Sequence, residues 1–120
     1  MIGSVVQVAL GGALGAVARY GVGLVALRLF GAAPLGTMAV NIAGCVAMGV
    51  CAVALGPRFA PLLMVGALGG FTTFSAFALD AVRLWERGAP GLAAFYIAAS
   101  VVLSLAGLLA GMAMAKGWME

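Results

Sequence analysis

The sequence predicts an all-α integral membrane protein: four transmembrane helices in a single domain spanning residues 1–120, the third helix broken at mid-membrane. Three observations carry this. Two thirds of the 120 residues are hydrophobic and only 8% are charged, whereas a soluble domain needs about 25% charged residues to cover its surface. Four apolar stretches each reach the length of about 20 residues that a membrane crossing requires. Inside the third of them, paired glycines and paired threonines interrupt helical continuity in one place.

The first stretch runs over residues 4–27 and is interrupted by Arg19. It has no basic flank before it and more apolar segments after it, so it reads as a retained span, not a cleaved signal. The second covers residues 34–55, the third 61–84 and the fourth 91–115. The joints are short: Arg28–Ala33, the Gly56-Pro57-Arg58 turn, and Arg83–Pro90, which holds Trp85 as an interfacial anchor. Lys116 and Trp118 close the far end. Gly11/Gly15, Gly66/Gly70 and Gly107/Gly111 are each four residues apart. Small residues at that spacing let helix backbones approach closely in lipid, so these glycines are expected at helix crossings.

Charge counting sets the expected topology. Four spans put both termini on one side, with Arg58 and Lys116; Arg28, Arg83 and Arg87 fall on the other. This is almost no positive-inside bias, and an antiparallel, dual-topology homodimer is the natural product of a chain that inserts both ways. The net charge of +3 comes from scattered basic residues, which is no footprint for nucleic acid. The chain has no His, and its acids are Asp80, Glu86 and Glu120. His-based metal sites and catalytic triads are therefore excluded within one chain, and the chain is expected not to be an enzyme. Cys45 and Cys51, six residues apart in an apolar span, read as small hydrophobes without a disulfide.

Polar residues inside spans are the functional candidates. Asn41 lies near the centre of the second span with Thr37 one turn earlier, on the same face. Two readings of Asn41 stand: an interhelical hydrogen bond, or a donor for an anion in a pore. Arg19 either snorkels toward one end of its helix or lines a wet vestibule. Tyr96, Ser100 and Ser104 put three hydroxyls on one face of the fourth span, as a polar track or as self-bonded helix residues. In Gly69-Gly70-Phe71-Thr72-Thr73-Phe74-Ser75-Ala76-Phe77, a break frees backbone carbonyls. Such carbonyls suit a hard cation such as Na⁺, unless the glycines only cushion a crossing. Phe74 and Phe77 share one face and offer positive ring edges, a weak anion site without formal charge.

Gly11-Gly12-Ala13-Leu14-Gly15-Ala16 with Arg19-Tyr20, then Thr37, Asn41 and Gly44, then residues 69–77 resemble, in order and over nearly the whole chain, the Fluc (CrcB-type) fluoride channels. The resemblance implies a dual-topology antiparallel homodimer with two pores in the cell's inner membrane, exporting fluoride passively. It implies a structural Na⁺ on the dimer axis, held by the carbonyls of Gly69 and Thr72 and not transported. It implies a fluoride path lined by Asn41, Thr37, Phe74, Ser75 and Phe77 and by the Tyr96, Ser100 and Ser104 hydroxyls, with Arg19 in a vestibule. Ala76 departs from the motif, which often carries Thr there. A proton-coupled exporter of similar size is the first alternative, but it needs a carboxylate within the membrane. Here no acid precedes Asp80, which lies in the last turns of the third span. A non-transporting scaffold is the second.

Overall fold

The computed structural model describes residues 1–31 and 33–120, so the joint expected over Arg28–Ala33 falls in part, at Ala32, outside the described residues. The chain is helical through its spans except for residues 72–74 of the third. α1 is Ile2–Phe30 and α2 is Ala33–Ala54; the third span begins as a π-helical run, Pro61–Leu68, and continues as α3, Gly69–Phe71; α4 is Ser75–Glu86 and α5 is Pro90–Met119. Four helices, counting Pro61–Glu86 as one, are long and apolar enough to cross a membrane. The molecule measures 47 × 33 × 24 Å, and its long dimension matches a bilayer with its headgroups, about 40–45 Å.

The ends follow local chemistry. α1 stops where Gly31 adopts φ 66°, ψ 12° and its N–H returns to the Leu27 carbonyl at 2.9 Å, a left-handed closure that costs glycine nothing. Pro61 and Pro90 open their helices, where the missing N–H is not needed. α5 runs on to Met119, past the expected end at residue 115. Its 30 residues measure about 45 Å, so the Lys116–Trp118 tail stands in the interface as helix, not as a terminating loop.

Two helix pairs organise the bundle, and both cross on glycine. In the first, α1 packs parallel to the lower third span. A side chain at Gly11 would strike the Leu62 carbonyl, and one at Gly15 would strike the Ala67 carbonyl. From the other side, a Cβ on Gly70 would lie 2.6 Å from the Gly12 carbonyl. In the second, α2 packs parallel to α5, with Gly49 against the Leu108 carbonyl and Gly111 against the Val46 carbonyl. All three glycine pairs expected at crossings are at crossings. The two pairs are tied together by α4, whose Phe77, Ala81 and Leu84 pack with Ala93 and Tyr96 of α5 into the one buried apolar cluster among the described residues. Most other large apolar side chains point outward. That inversion is unstable in water and natural in lipid.

Candidate functional site

The break falls at Thr72–Phe74, inside the motif that announces it. Thr72 turns to φ −85°, ψ 159°, so the helical ladder stops there. Its N–H and its hydroxyl both bond the Leu68 carbonyl, at 3.0 and 2.9 Å. The next residue is held by a side chain from another helix. Asn41 Nδ2 donates to the Thr73 carbonyl at 2.9 Å, and the Thr73 N–H donates to Asn41 Oδ1 at 2.8 Å. The amide thus replaces, at mid-membrane, both backbone partners that the break removes; leaving such groups bare in hydrocarbon costs several kcal/mol each, on the order of 2–7. Thr73 then starts the new helix, its Oγ1 accepting the Ala76 N–H at 3.1 Å, one of the donors a helix start leaves open.

Arg19 reaches the same place from α1. Its Nε donates to the Gly70 carbonyl at 3.1 Å, and the side chain lines a hollow of about 220 Å³ with Thr37, Thr73 and Ala76. That bond anchors the guanidinium to the broken segment. A threonine in place of Ala76 would bring one more hydroxyl to this hollow. Ser75 is exposed and sits apart from it, with its Oγ 3.4 Å from Thr73 Oγ1.

On the other side of the break lies a groove of about 470 Å³, lined among others by Asn41, Gly69, Thr72, Phe74, Ser100 and Ser104. Its polar lining is amide, hydroxyl and backbone; no carboxylate faces it. Ser100 is 5% exposed and its hydroxyl has no hydrogen-bond partner among the described residues. The ordinary fate of a membrane-helix serine, a bond to its own backbone, is therefore not taken. An unmet buried hydroxyl costs about 1–3 kcal/mol, a cost consistent with a site meant to be filled. Cys45 is half-buried, free, and faces this groove as well.

The three hydroxyls of α5 do not form one track. Ser100 and Ser104 face the groove, whereas Tyr96 is turned to a different partner, Asp80. Asp80 is 8% exposed. Its Oδ2 accepts from Thr37 Oγ1 at 2.7 Å and from Tyr96 Oη at 3.4 Å. So Thr37 and Asn41, one turn apart on α2, both grip the third span: Asn41 at the break, Thr37 at α4. Sequence reasoning placed Asp80 in the closing turns of a span and set it aside. The break restarts the helix at Ser75, which puts Asp80 in the second turn of α4 and inside the bundle. Its spacing of three from Phe77 was the available signal. Thr37→Val should lower stability by about 0.5–1.5 kcal/mol, the net value of a hydrogen bond, and Thr37→Ser should retain most of it. Unfolding titrations of the detergent-solubilised variants check this.

The phenylalanines straddle the start of α4. Phe77 is 9% exposed and tilts against Tyr96 with ring centroids 5.5 Å apart. Phe74 is 79% exposed and meets Phe77 at 5.6 Å and 67°. In this T-shaped arrangement the edge of one ring addresses the face of the other, and Phe74 leaves most of its surface outside the bundle, beside the groove.

A family model described as CrcB-like protein, Camphor Resistance (CrcB), matches residues 6–112. The chain belongs to the CrcB-like family. Among its CrcB-like relatives, the fluoride-specific ion channel FluC of Cereibacter sphaeroides (strain ATCC 17029 / ATH 2.4.9) is 63% identical over 99% of both chains. The protein of the same name from Paracoccus denitrificans (strain Pd 1222) is 58% identical over 92% of this chain and 93% of its own. That of Rhizobium etli (strain CIAT 652) is 53% identical, covering 91% and 93%. The match takes in every segment of the site, from Gly11 to Gly111. With four helices suited to crossing a membrane, this CrcB-like chain is a multi-pass membrane protein.

Proposed function

We propose that this chain is a fluoride-specific ion channel that lets fluoride leave the cell passively across the inner membrane. The observation that carries the reading is the carboxylate-free groove at the helix break, where the unmet Ser100 hydroxyl, the Ser104 hydroxyl and the Asn41 amide converge. Donors without a fixed negative charge suit a small anion whose tightly held water must be replaced. The names of the relatives point the same way. HF enters an acid-exposed cell as a neutral molecule and ionises inside; an open path then drains the trapped anion down its gradient.

The working unit in this reading is an antiparallel, dual-topology homodimer. Phe74 supports it: a phenylalanine 79% exposed beside the polar groove leaves the path open on one side, and a second copy closes it. The near-balanced cationic residues at the two membrane ends support insertion in both directions. A structural Na⁺ on the axis of this dimer fits the chemistry of the break. Thr72 is extended, which takes its carbonyl out of the ladder, and Gly69 and Thr72 both border the groove with hard oxygen donors. When bound, the ion adds positive charge next to the path and is not itself carried.

The aromatic edges have a direct test. Phe77→Ile keeps an apolar side chain of similar burial but removes the ring's positive edge. Fluoride throughput should fall by about tenfold, the equivalent of one 1.4 kcal/mol interaction, with the dimer intact by size-exclusion chromatography. Unchanged throughput removes the ring from the path.

A second reading has one observation behind it. Asp80 is a buried carboxylate within a span, the group that proton-coupled export requires. The two readings separate in fluoride-loaded liposomes at neutral pH. A passive channel releases fluoride only when valinomycin supplies a compensating K⁺ path. Release under valinomycin that is matched by proton counter-movement at a fixed ratio would instead make Asp80 a coupling group.

A further inference from the structure

The end of the bundle near the α4–α5 turn carries a hollow separate from the groove at the break. There the end of α1, the start of α2, the last turns of α4 and the first turns of α5 enclose a hollow of about 520 Å³. Leu27, Leu35, Leu92 and Phe95 wall it, all of them exposed. Arg83, in the last turn of α4, and Arg87, four residues on at the helix's C-terminal cap, border it. The one acid lining the hollow, Asp80, is buried and accepts from Thr37 and Tyr96, not from either guanidinium. Glu86 is on the same turn of α4 but does not line the hollow.

We propose that this hollow binds an anionic phospholipid, its phosphate between Arg83 and Arg87 and an acyl chain along Leu27, Leu35, Leu92 and Phe95. Two adjacent guanidinium groups match phosphate oxygens in geometry and charge. Basic recesses between helices at the membrane surface are where anionic headgroups settle, and Trp85, between the two arginines in sequence, marks that depth. The apolar walls open toward lipid and give the chain a track that a free anion would not need. A second copy is the weaker occupant on charge: an antiparallel neighbour would bring Arg58 and Lys116 to this side of the membrane. The inference is independent of which ion the path carries.

The test uses the full chain with one reporter, Trp85→Phe/Trp118→Phe/Phe95→Trp, in phosphatidylcholine vesicles doped with brominated phosphatidylglycerol or brominated phosphatidylcholine. Phosphatidylglycerol should quench the reporter with about a fivefold higher relative affinity. Arg83→Gln/Arg87→Gln should abolish the preference. Arg83→Lys/Arg87→Lys should keep part of it, and Arg28→Gln, which removes a charge from the same end but outside the hollow, should keep all of it. Equal quenching by the two lipids overturns the proposal, as does a preference that survives the double Gln change. Quenching by neither lipid means that another copy covers the hollow. Loss of the preference on adding inorganic phosphate means a free-anion site. A collapse of fluoride flux in the double Gln variant with lipid preference intact means an ion-gathering mouth.

Discussion

Asn41→Asp is expected to lower fluoride flux by about two orders of magnitude while leaving an assembled protein. The substitution keeps the oxygen that accepts the Thr73 N–H but removes the N–H that holds the Thr73 carbonyl. It also places a carboxylate on the groove beside the break. An uncompensated charge at this depth costs about 2.5–3.5 kcal/mol on insertion scales. A barrier raised for a passing anion by a similar amount corresponds to roughly a hundredfold in rate. Asn41→Leu separates the two effects. It removes both bonds to Thr73 without adding charge, and should show mainly as lost stability, about 2–6 kcal/mol for two unmet backbone groups at about 1–3 each. Flux from liposomes and unfolding of the purified variants measure the two separately. Near-normal flux in Asn41→Asp, with the protein correctly assembled, would leave Asn41 as a brace for the break and nothing more.

Gly15→Val should be the most damaging single change to the fold. A Cβ at this position overlaps the Ala67 carbonyl and lies 2.8 Å from the Phe71 amide nitrogen. These are backbone atoms that no rotamer change can move. Overpacking of ordinary side chains costs about 1–3 kcal/mol, and a backbone clash belongs at or above the top of that range. Damage should also spread to the site, because Arg19 is one turn further along α1 and bonds the Gly70 carbonyl. Forcing α1 away from the third span pulls that bond apart. Gly21→Ala is the control. Nothing lies within 4 Å of its added Cβ, and replacing glycine within a helix should stabilise by roughly 0.5–1 kcal/mol. Yield of monodisperse protein and midpoints of thermal unfolding report both. If Gly15→Val matched Gly21→Ala, the close crossing of α1 on the third span would be wrong.

Much of this architecture is legible in the residues, and the reasons differ by element. The four spans follow from length and hydropathy, which lipid enforces more strictly than water does. The crossings at Gly11/Gly15 and Gly107/Gly111 follow from spacing alone, since no other role explains glycine at that period in a helix. The break is readable because the glycine and threonine pairs weaken a helix at one place. The π-helical run over Pro61–Leu68 is not readable. Its residues are ordinary apolar helix formers, and nothing in Pro-Leu-Leu-Met-Val-Gly-Ala-Leu signals the wider turn.

The site is legible at the level of residue types and opaque at the level of partners. Asn41 stands out as an amide in hydrocarbon, but only tertiary contact shows that both ends of that amide serve Thr73. Tyr96, Ser100 and Ser104 share a helix face, yet periodicity cannot say that Tyr96 meets Asp80 while the Ser100 hydroxyl has no partner among the described residues. Asp80 falls in the last turns of the third span as counted, but only tertiary contact shows that it accepts from Thr37 and Tyr96. The exposure of Phe74 has no sequence signature at all, because an outward phenylalanine in a membrane helix looks the same whether lipid or another protomer covers it.

The most direct test of the central claim is anion efflux from liposomes holding the purified protein, followed with fluoride- and chloride-sensitive electrodes after valinomycin opens a K⁺ path. The carboxylate-free groove and its amide and hydroxyl donors predict fast loss of fluoride with chloride retained. Retention of both anions by liposomes carrying folded protein, or equal loss of the two, would contradict it.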